Sequence, residues 1–427
     1  MKRSAFLKVA APAALVVSLL AGCTGGAPSG SGSGSGGDAT SIRYLVELPE
    51  EPATLKKIET HIAGFAKQSG LTIDVEAMPQ DSMRTVLQTQ LRSGEGPDVF
   101  NWGSGPGYAG ALAEAGLLYD LTDAYEKYDW PVYDFAKERV TFDGKTYGVP
   151  GEMETLGLFY NKDLLTKLGV APPKNLADLK AAAKKIKAAG VVPLAVSDKE
   201  GWQGGHLLSM ALSSDVGSEG AEALINGETS WDSPEVVRAL QVWKDLQDAG
   251  ALPKSPTSVG YDAANAQFYS GDAAMVPTGS WQINDYETNA DFEIGFIPFP
   301  GPDGPGIFTG GLGSGPFISA GTEKTEAALE LVDFLASPEH GRWTVETLKT
   351  IPPAPIDSKD VDVSPLLAQV LDDTSELSKG NAGLGQNIDV LSSDVFNEAM
   401  LDGMQGLLSG QSSAEEVAET LQTASEK

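Results

Sequence analysis

From Ser41 onward the apolar positions switch between two spacings. SIRYLVEL (41–48) has the dense apolar content of a strand, and TLKKIETHIAGFAKQSG (54–70) has helical spacing that closes at Gly70. LTIDVEAM (71–78) predicts a second strand and MRTVLQTQLRSG (83–94) a second helix, with Val86 and Leu87 apolar and Gly94 at its end. PDVFNW (97–102) predicts a short buried strand, and AGALAEAGLL (109–118) is helical again. The middle of the chain is richer in helix. Asn175 precedes LADLKAAAKKIKAAG, in which Leu176, Leu179, Ala183 and Ile186 form one stripe, and Ser233-Pro234-Glu235 opens a helix that puts Val236, Leu240 and Trp243 on one face. AAMVPTG (273–279), FEIGFIPFP (292–300) and PFISA (316–320) read as strands, and Ser413 caps AEEVAETLQ. Strand–helix alternation of this kind predicts an α/β fold with parallel pairing. No repeat and no second linker divides it, which suggests two lobes that exchange strands.

The first 23 residues follow another rule. Lys2, Arg3 and Lys8 precede about a dozen apolar or small residues, Val9 to Leu20, interrupted by Pro12. That run is shorter than the roughly 20 residues a spanning helix needs, so it reads as an export signal. Its end, Leu20-Ala21-Gly22-Cys23, resembles the bacterial lipobox, which makes Cys23 the expected lipidation site. The following Gly/Ser tract, to about residue 41, predicts a flexible tether of some 20 Å root-mean-square reach.

Composition then narrows the chemistry. The chain has 427 residues, enough for two to three domains. Its 30 basic and 59 acidic residues leave a formal charge of −29, which disfavours nucleic acid and any basic docking on anionic lipid. One cysteine excludes a disulfide framework, and three widely spaced histidines, His61, His206 and His340, offer no metal spacing. Gly105-Pro106-Gly107-Tyr108-Ala109-Gly110 satisfies GxGxxG, but Pro106 removes a backbone donor and the acidic partner of a dinucleotide site is missing, so no cofactor is expected. Asp143-Gly144 reads as a hairpin turn. Lys180, Lys184, Lys185 and Lys187 read as a solvated helix face.

Two features remain. Glu152 and Glu154, at i and i+2 on an extended segment, point the same way about 6–7 Å apart, a spacing compatible with a glycosidase carboxylate pair or with two exposed loop carboxylates. Trp102, Trp202 and Trp281 occupy Gly-rich loop contexts outside any apolar stripe. Each is therefore a core plug or a platform for a ligand. A sugar ring offers a C–H face to an indole and a hydroxyl rim to groups such as Glu154, Gln203 and Asn101.

These segments together resemble the extracellular solute-binding proteins of carbohydrate ABC importers, the maltose-binding-protein-like family, over nearly all of residues 41–427. The resemblance is carried by GKTYGVPGEMETLGLFYNKDLLTKLGVAPP, with its YNKDL, by FYSGDAAMVPTGSW and by ASPEHGRW. It implies a two-lobed periplasmic-binding-protein-like α/β fold with crossover strands and a ligand cleft between the lobes. The first lobe is expected from 42–153 plus about 285–310, the second from 154–284 plus about 311–427. It further implies that Trp102, Glu154, Trp202 and Trp281 contact ligand, with Glu50 and Arg84, more loosely, near it; Glu152, Gln203 and Asn101 join them on the spacing and chemistry given above. Gly310 and Gly311 fall at a crossover, and an expected aromatic contact falls near Phe396 or Asn397. The implied function is capture of a sugar, an oligosaccharide above others, by closure of the lobes. Delivery would be to a membrane permease, from a monomer held to the outer face of the membrane through Cys23 alone. The alternatives are a binding protein for a polyol or glycerol phosphate ester and a lipid-anchored glycosidase using Glu152 and Glu154.

Overall fold

The structure, a computed structural model, describes residues 40–49, 52–377, 384–388 and 393–426. The signal segment, Cys23, nearly all of the Gly/Ser tract and Glu50 lie outside the described residues. In chain order the strands are β1 (Ser41–Glu47), β2 (Thr72–Met78), β3 (Val99–Gly103), β4 (Thr141–Phe142), β5 (Lys145–Thr146), β6 (Met153–Asn161), β7 (Val192–Leu194), β8 (Ala273–Gly279), β9 (Ile294–Ile297), β10 (Thr309–Leu312), β11 (Ser314–Ile318) and β12 (Gly385–Gln386).

The first sheet has the order β11-β3-β1-β2, parallel except for β11. Strand β1 is buried on both faces, as expected of a parallel strand covered by helices on each side. Ile42, Tyr44 and Val46 pack with Ile62 of helix Pro52–Ser69 and with Ala328 and Leu331 of helix Thr325–Leu335. On the opposite face Leu45 and Phe100 pack with Met83, Leu87 and Leu91 of helix Gln80–Ser93. The second sheet runs β12-β10-β6-β8-β7, with β9 also pairing β6. Its core is built on helices Leu176–Ala188, Gln203–Ile225 and Pro234–Asp248, where Trp243 is fully buried and donates its indole N–H to the Leu207 carbonyl at 2.8 Å. Lys180 pairs with Asp245 at 2.7 Å, and Lys185 and Lys187 donate to the Gly169 and Ala249 carbonyls, so three of the four lysines serve a solvated helix face.

Where the chain changes lobes differs from the sequence expectation. Strands β9 and β10 belong to the second sheet, whereas β11 and helix Thr325–Leu335 belong with the first, and helix Pro338–Trp343 packs His340 and Trp343 on His61 of the same lobe. The segment about 285–310 and the stretch from Ser314 to Trp343 therefore lie in the reverse lobes. An apolar run such as FEIGFI or PFISA says that a strand exists. Only pairing register says which sheet it joins. The switch is at Gly313: Leu312 pairs with Met153 in one sheet and Ser314 with Gly103 in the other. A Cβ on Gly151 would stand 2.4 Å from the Gly313 carbonyl oxygen, and one on Gly315 would stand 2.1 Å from that of Val149. Two backbones touch at this crossing, and side chains are excluded from it. Among the described residues no helix is long and apolar enough to cross a membrane.

Candidate functional site

A cavity of about 580 Å³ opens at the C-terminal ends of β1 and β3, beside the crossover. Tyr44 and Glu47 reach it from β1, Asn101 from β3, Glu152 and Glu154 from the crossover into β6, and Ser314 from β11. The Tyr44 hydroxyl donates to Asn101 Oδ1 at 2.9 Å and the Ser314 hydroxyl to Glu47 at 3.2 Å. Burial pushes the Glu47 carboxyl above its ordinary range, against the Ser314 hydrogen bond. Burial also pushes Glu152 up, and the Glu47 charge adds to it. The far wall carries His61, His340 and Trp343. The His61 ring stacks on Trp343 at 3.9 Å, and its Nε2 lies 3.1 Å from His340 Nδ1. Burial drives the His340 pKa down to about 3, so this imidazole is neutral. Among the described residues the cavity is lined by three carboxylates and by no lysine or arginine.

Glu154 also faces the second lobe. It pairs with Gly311 across β6 and β10, and the next residue, Thr155, donates its N–H to the Ser280 hydroxyl at 3.1 Å. Ser280 opens the turn that carries Trp281. The Trp281 indole N–H donates to the Tyr261 hydroxyl at 2.7 Å, and that hydroxyl lies 2.8 Å from Thr278 Oγ1. The ring rests over Gly279, where a Cβ would stand 1.9 Å from it. Trp202 lies 4.7 Å from Tyr261 and 5.1 Å from His206, which lies 5.6 Å from Trp281. Gln203, the first residue of the helix behind Trp202, donates to Glu200 at 3.2 Å.

The expected residues thus fall into three places. Glu152, Glu154 and Asn101 share the cavity. Trp202, Gln203 and Trp281 sit in the aromatic cluster of the second lobe, joined to Glu154 through Thr155 and Ser280, and Gly310 and Gly311 are on β10 beside Glu154. Trp102 and Arg84 are elsewhere. Strand alternation turns Asn101 to the cavity face and Trp102 to the helix Gln80–Ser93 face, where Trp102 is 7% exposed and meets Tyr108 edge-on at 5.7 Å. The Arg84 guanidinium covers Tyr108 at 4.6 Å. Phe396 is buried against Trp231, 4.5 Å away. Sequence reading missed Tyr44, which looks like an ordinary strand residue, and Tyr261, whose only signal is a helix start after Gly260. The GxGxxG segment is a turn whose Gly105 N–H is taken by the Arg139 carbonyl and whose Gly110 N–H is taken by the Gly105 carbonyl. Among the described residues no three histidine, cysteine or acidic side chains come together as a metal site.

Comparison with known proteins agrees with this architecture. A multiple sugar-binding protein of Streptococcus mutans is 28% identical over 313 residues, 70% of this chain and 72% of that protein. A galactooligosaccharide-binding protein of Bacillus subtilis is 27% identical over 315 residues, 69% of each chain. A solved structure concerned with xylan utilization by the thermophilic bacterium Caldanaerobius polysaccharolyticus superposes with a TM-score of 0.77 at 25% identity, covering 90% of this chain and 99% of that one. The family described as bacterial extracellular solute-binding protein matches residues 60–364, most of the chain, and the protein belongs to that family.

Proposed function

We propose that the protein is the sugar-capturing component of an ABC importer, that it acts by binding and not by catalysis, and that its ligand is a neutral oligosaccharide. The observation that carries this reading is the link between Glu154 and Trp281. Glu154, whose carboxylate would accept hydrogen bonds from hydroxyls, stands one residue from the Thr155–Ser280 hydrogen bond to the turn that carries Trp281, whose indole is held by Tyr261 and would offer its ring to the C–H side of a sugar. The names of the Streptococcus and Bacillus relatives support the ligand class. The cavity lining supports neutrality: among the described residues it offers three glutamates and no lysine or arginine to pair with a phosphate ester or an acidic sugar. A ligand bridging both lobes stabilises the closed arrangement by its differential affinity, and the permease would read that closed shape. Export and lipidation at Cys23 would hold a monomer at the outer face of the membrane. Membrane fractionation of Cys23→Ala checks this, since full retention of a cleaved mutant contradicts the anchor.

The decisive experiment is a thermal-shift screen with raffinose, maltotriose, xylotriose and chitotriose, followed by calorimetry and a hydrolysis assay on the tightest binder. A sugar at 100 times its Kd adds about 2.7 kcal/mol of stability. Glu154→Gln should cost about 10- to 150-fold in affinity, a hydrogen bond to a charged group being worth roughly 1.5–3 kcal/mol. Glu152→Gln should cost less. Release of shorter sugars by the wild type, abolished in either variant, would replace binding by glycoside hydrolysis.

A further inference from the structure

The cavity beside the crossover is chemically two-sided. Its three carboxylates are gathered where β1 ends, at Glu47, and where β6 begins, at Glu152 and Glu154. Away from them, Thr54, Ile58 and His61 line it at i, i+4 and i+7 of helix Pro52–Ser69, a span of about 10 Å along one helix face. Trp343, Leu348 and Ile356 line the same part. Among the described residues this part carries no acidic side chain, lysine or arginine, and burial lowers the pKa of both its histidines, against the Glu339 charge at His61. Its polar groups are engaged with one another. His61 Nε2 and His340 Nδ1 share a hydrogen bond at 3.1 Å, the Ser337 hydroxyl accepts the His340 backbone N–H at 3.2 Å, and the Thr344 hydroxyl donates to the Gly341 carbonyl at 2.8 Å. Ile58, Trp343 and Leu348 are only half-buried, which leaves apolar surface uncovered. A sugar ring buried here would lose water from hydroxyls that find few partners, whereas an apolar group loses nothing.

We propose that this apolar compartment binds the uncharged aryl or short alkyl group of a glycoside whose sugar hydroxyls meet the carboxylate end of the same cavity. The inference rests on the sugar-binding reading above and narrows its ligand class to a sugar that carries an apolar group. The fold sets the direction. Glu154 is tied through Thr155 and Ser280 to the aromatic cluster of the second lobe, whereas Ile58 and Ile62 of the His61 helix pack in the first-lobe core. A ligand held at Glu154 therefore reaches the apolar wall by extending into the first lobe. Each methylene buried there strengthens binding about 4-fold.

The test is calorimetry with maltose, xylobiose and diacetylchitobiose, each as its methyl and its para-nitrophenyl glycoside, on wild type, Leu348→Ala and Leu348→Asp. Leu348 is half-buried and lies outside the described hydrophobic cores, so both variants should melt close to wild type. In a pair that binds wild type, the nitrophenyl glycoside should be at least about 10-fold tighter than the methyl glycoside. That ratio should fall about 3-fold or more in Leu348→Ala, and to about 1 in Leu348→Asp, where the ring would strip water from a carboxylate. A ratio of about 1 for every pair in wild type, a ratio that both variants leave unaltered, or no pair that binds overturns the inference. The screen with raffinose, maltotriose, xylotriose and chitotriose separates the two readings: binding of any of them keeps sugar capture when this inference fails, and binding of none overturns both.

Discussion

Asp198 is fully buried, accepts a hydrogen bond from the Gly204 N–H at 2.8 Å and has no donor for Oδ2 among the described residues. Burial, reinforced by the Glu200 charge and opposed by the Gly204 hydrogen bond, pushes its pKa up to about 8. In the unfolded chain the value is about 3.9. Between these two pH values the folded state holds a proton that the unfolded state has released, so stability is full below pH 4 and falls as pH rises toward 8. Asp198→Asn removes that loss. Urea unfolding should find the variant at least about 1 kcal/mol more stable than wild type at pH 8, with the difference shrinking toward pH 5. A variant with the same pH profile as wild type would refute the assignment. Trp281 makes the contrasting case. Its loop context suggests a ring that can be removed at little cost, yet the ring packs on the second-lobe core, covers Gly279 and bonds Tyr261. Trp281→Ala should therefore lower sugar affinity 10-fold or more (~1.4 kcal/mol) and also cost about 1–2 kcal/mol of stability, below the 3–5 typical of a fully buried tryptophan. Calorimetry and chemical denaturation of one preparation separate the two effects.

At the scale of elements, helix starts show how far local chemistry reaches. Asn175 and Ser413 were both readable as caps, and both accept the expected backbone N–H, from Asp178 and Glu416; Ser413 and Glu416 complete a capping box. Ser233 carries an equally good signal, followed by proline, and makes no cap: its Oγ is buried without a partner among the described residues. A cap needs a side-chain rotamer that reaches the N–H of the second or third helical residue, and the neighbours of the helix decide whether that rotamer is free. Asn175→Ala should cost about 1 kcal/mol in denaturant unfolding. Ser233→Ala should be neutral or slightly stabilising, because it deletes a buried hydroxyl that bonds nothing. The hairpin at Asp143-Gly144 was equally local: both residues take positive φ, 50° and 76°, between β4 and β5, the geometry that Asp-Gly favours.

At the scale of the whole molecule, the crossing at Gly151, Gly313 and Gly315 joins two sheets that each have their own core. A methyl on Gly315 would stand 2.1 Å from the Val149 carbonyl oxygen and 2.5 Å from the Gly151 nitrogen, both of them backbone atoms, so the two segments must separate to admit it. Gly315→Ala should lower the melting temperature by several degrees, an overpacking cost of about 1–3 kcal/mol, and weaken sugar binding, because Glu152 lies on the displaced segment. Unaltered melting and affinity would show that the crossing tolerates separation.

The sequence by itself determined that this is an α/β chain, where most strands and helices lie, and which carboxylates share a face, because these depend on spacings of two to four residues along one segment. Its shared blocks also indicated the family. Tertiary structure alone decided which sheet receives β9, β10 and β11, that Trp102 turns away from Asn101 and the cavity, and that Glu154 lies beside Gly311. Glu154 and Gly311 are far apart along the chain. They converge because β10 pairs with β6, and a pairing of that kind is set by register and packing over the whole sheet, which no local pattern encodes.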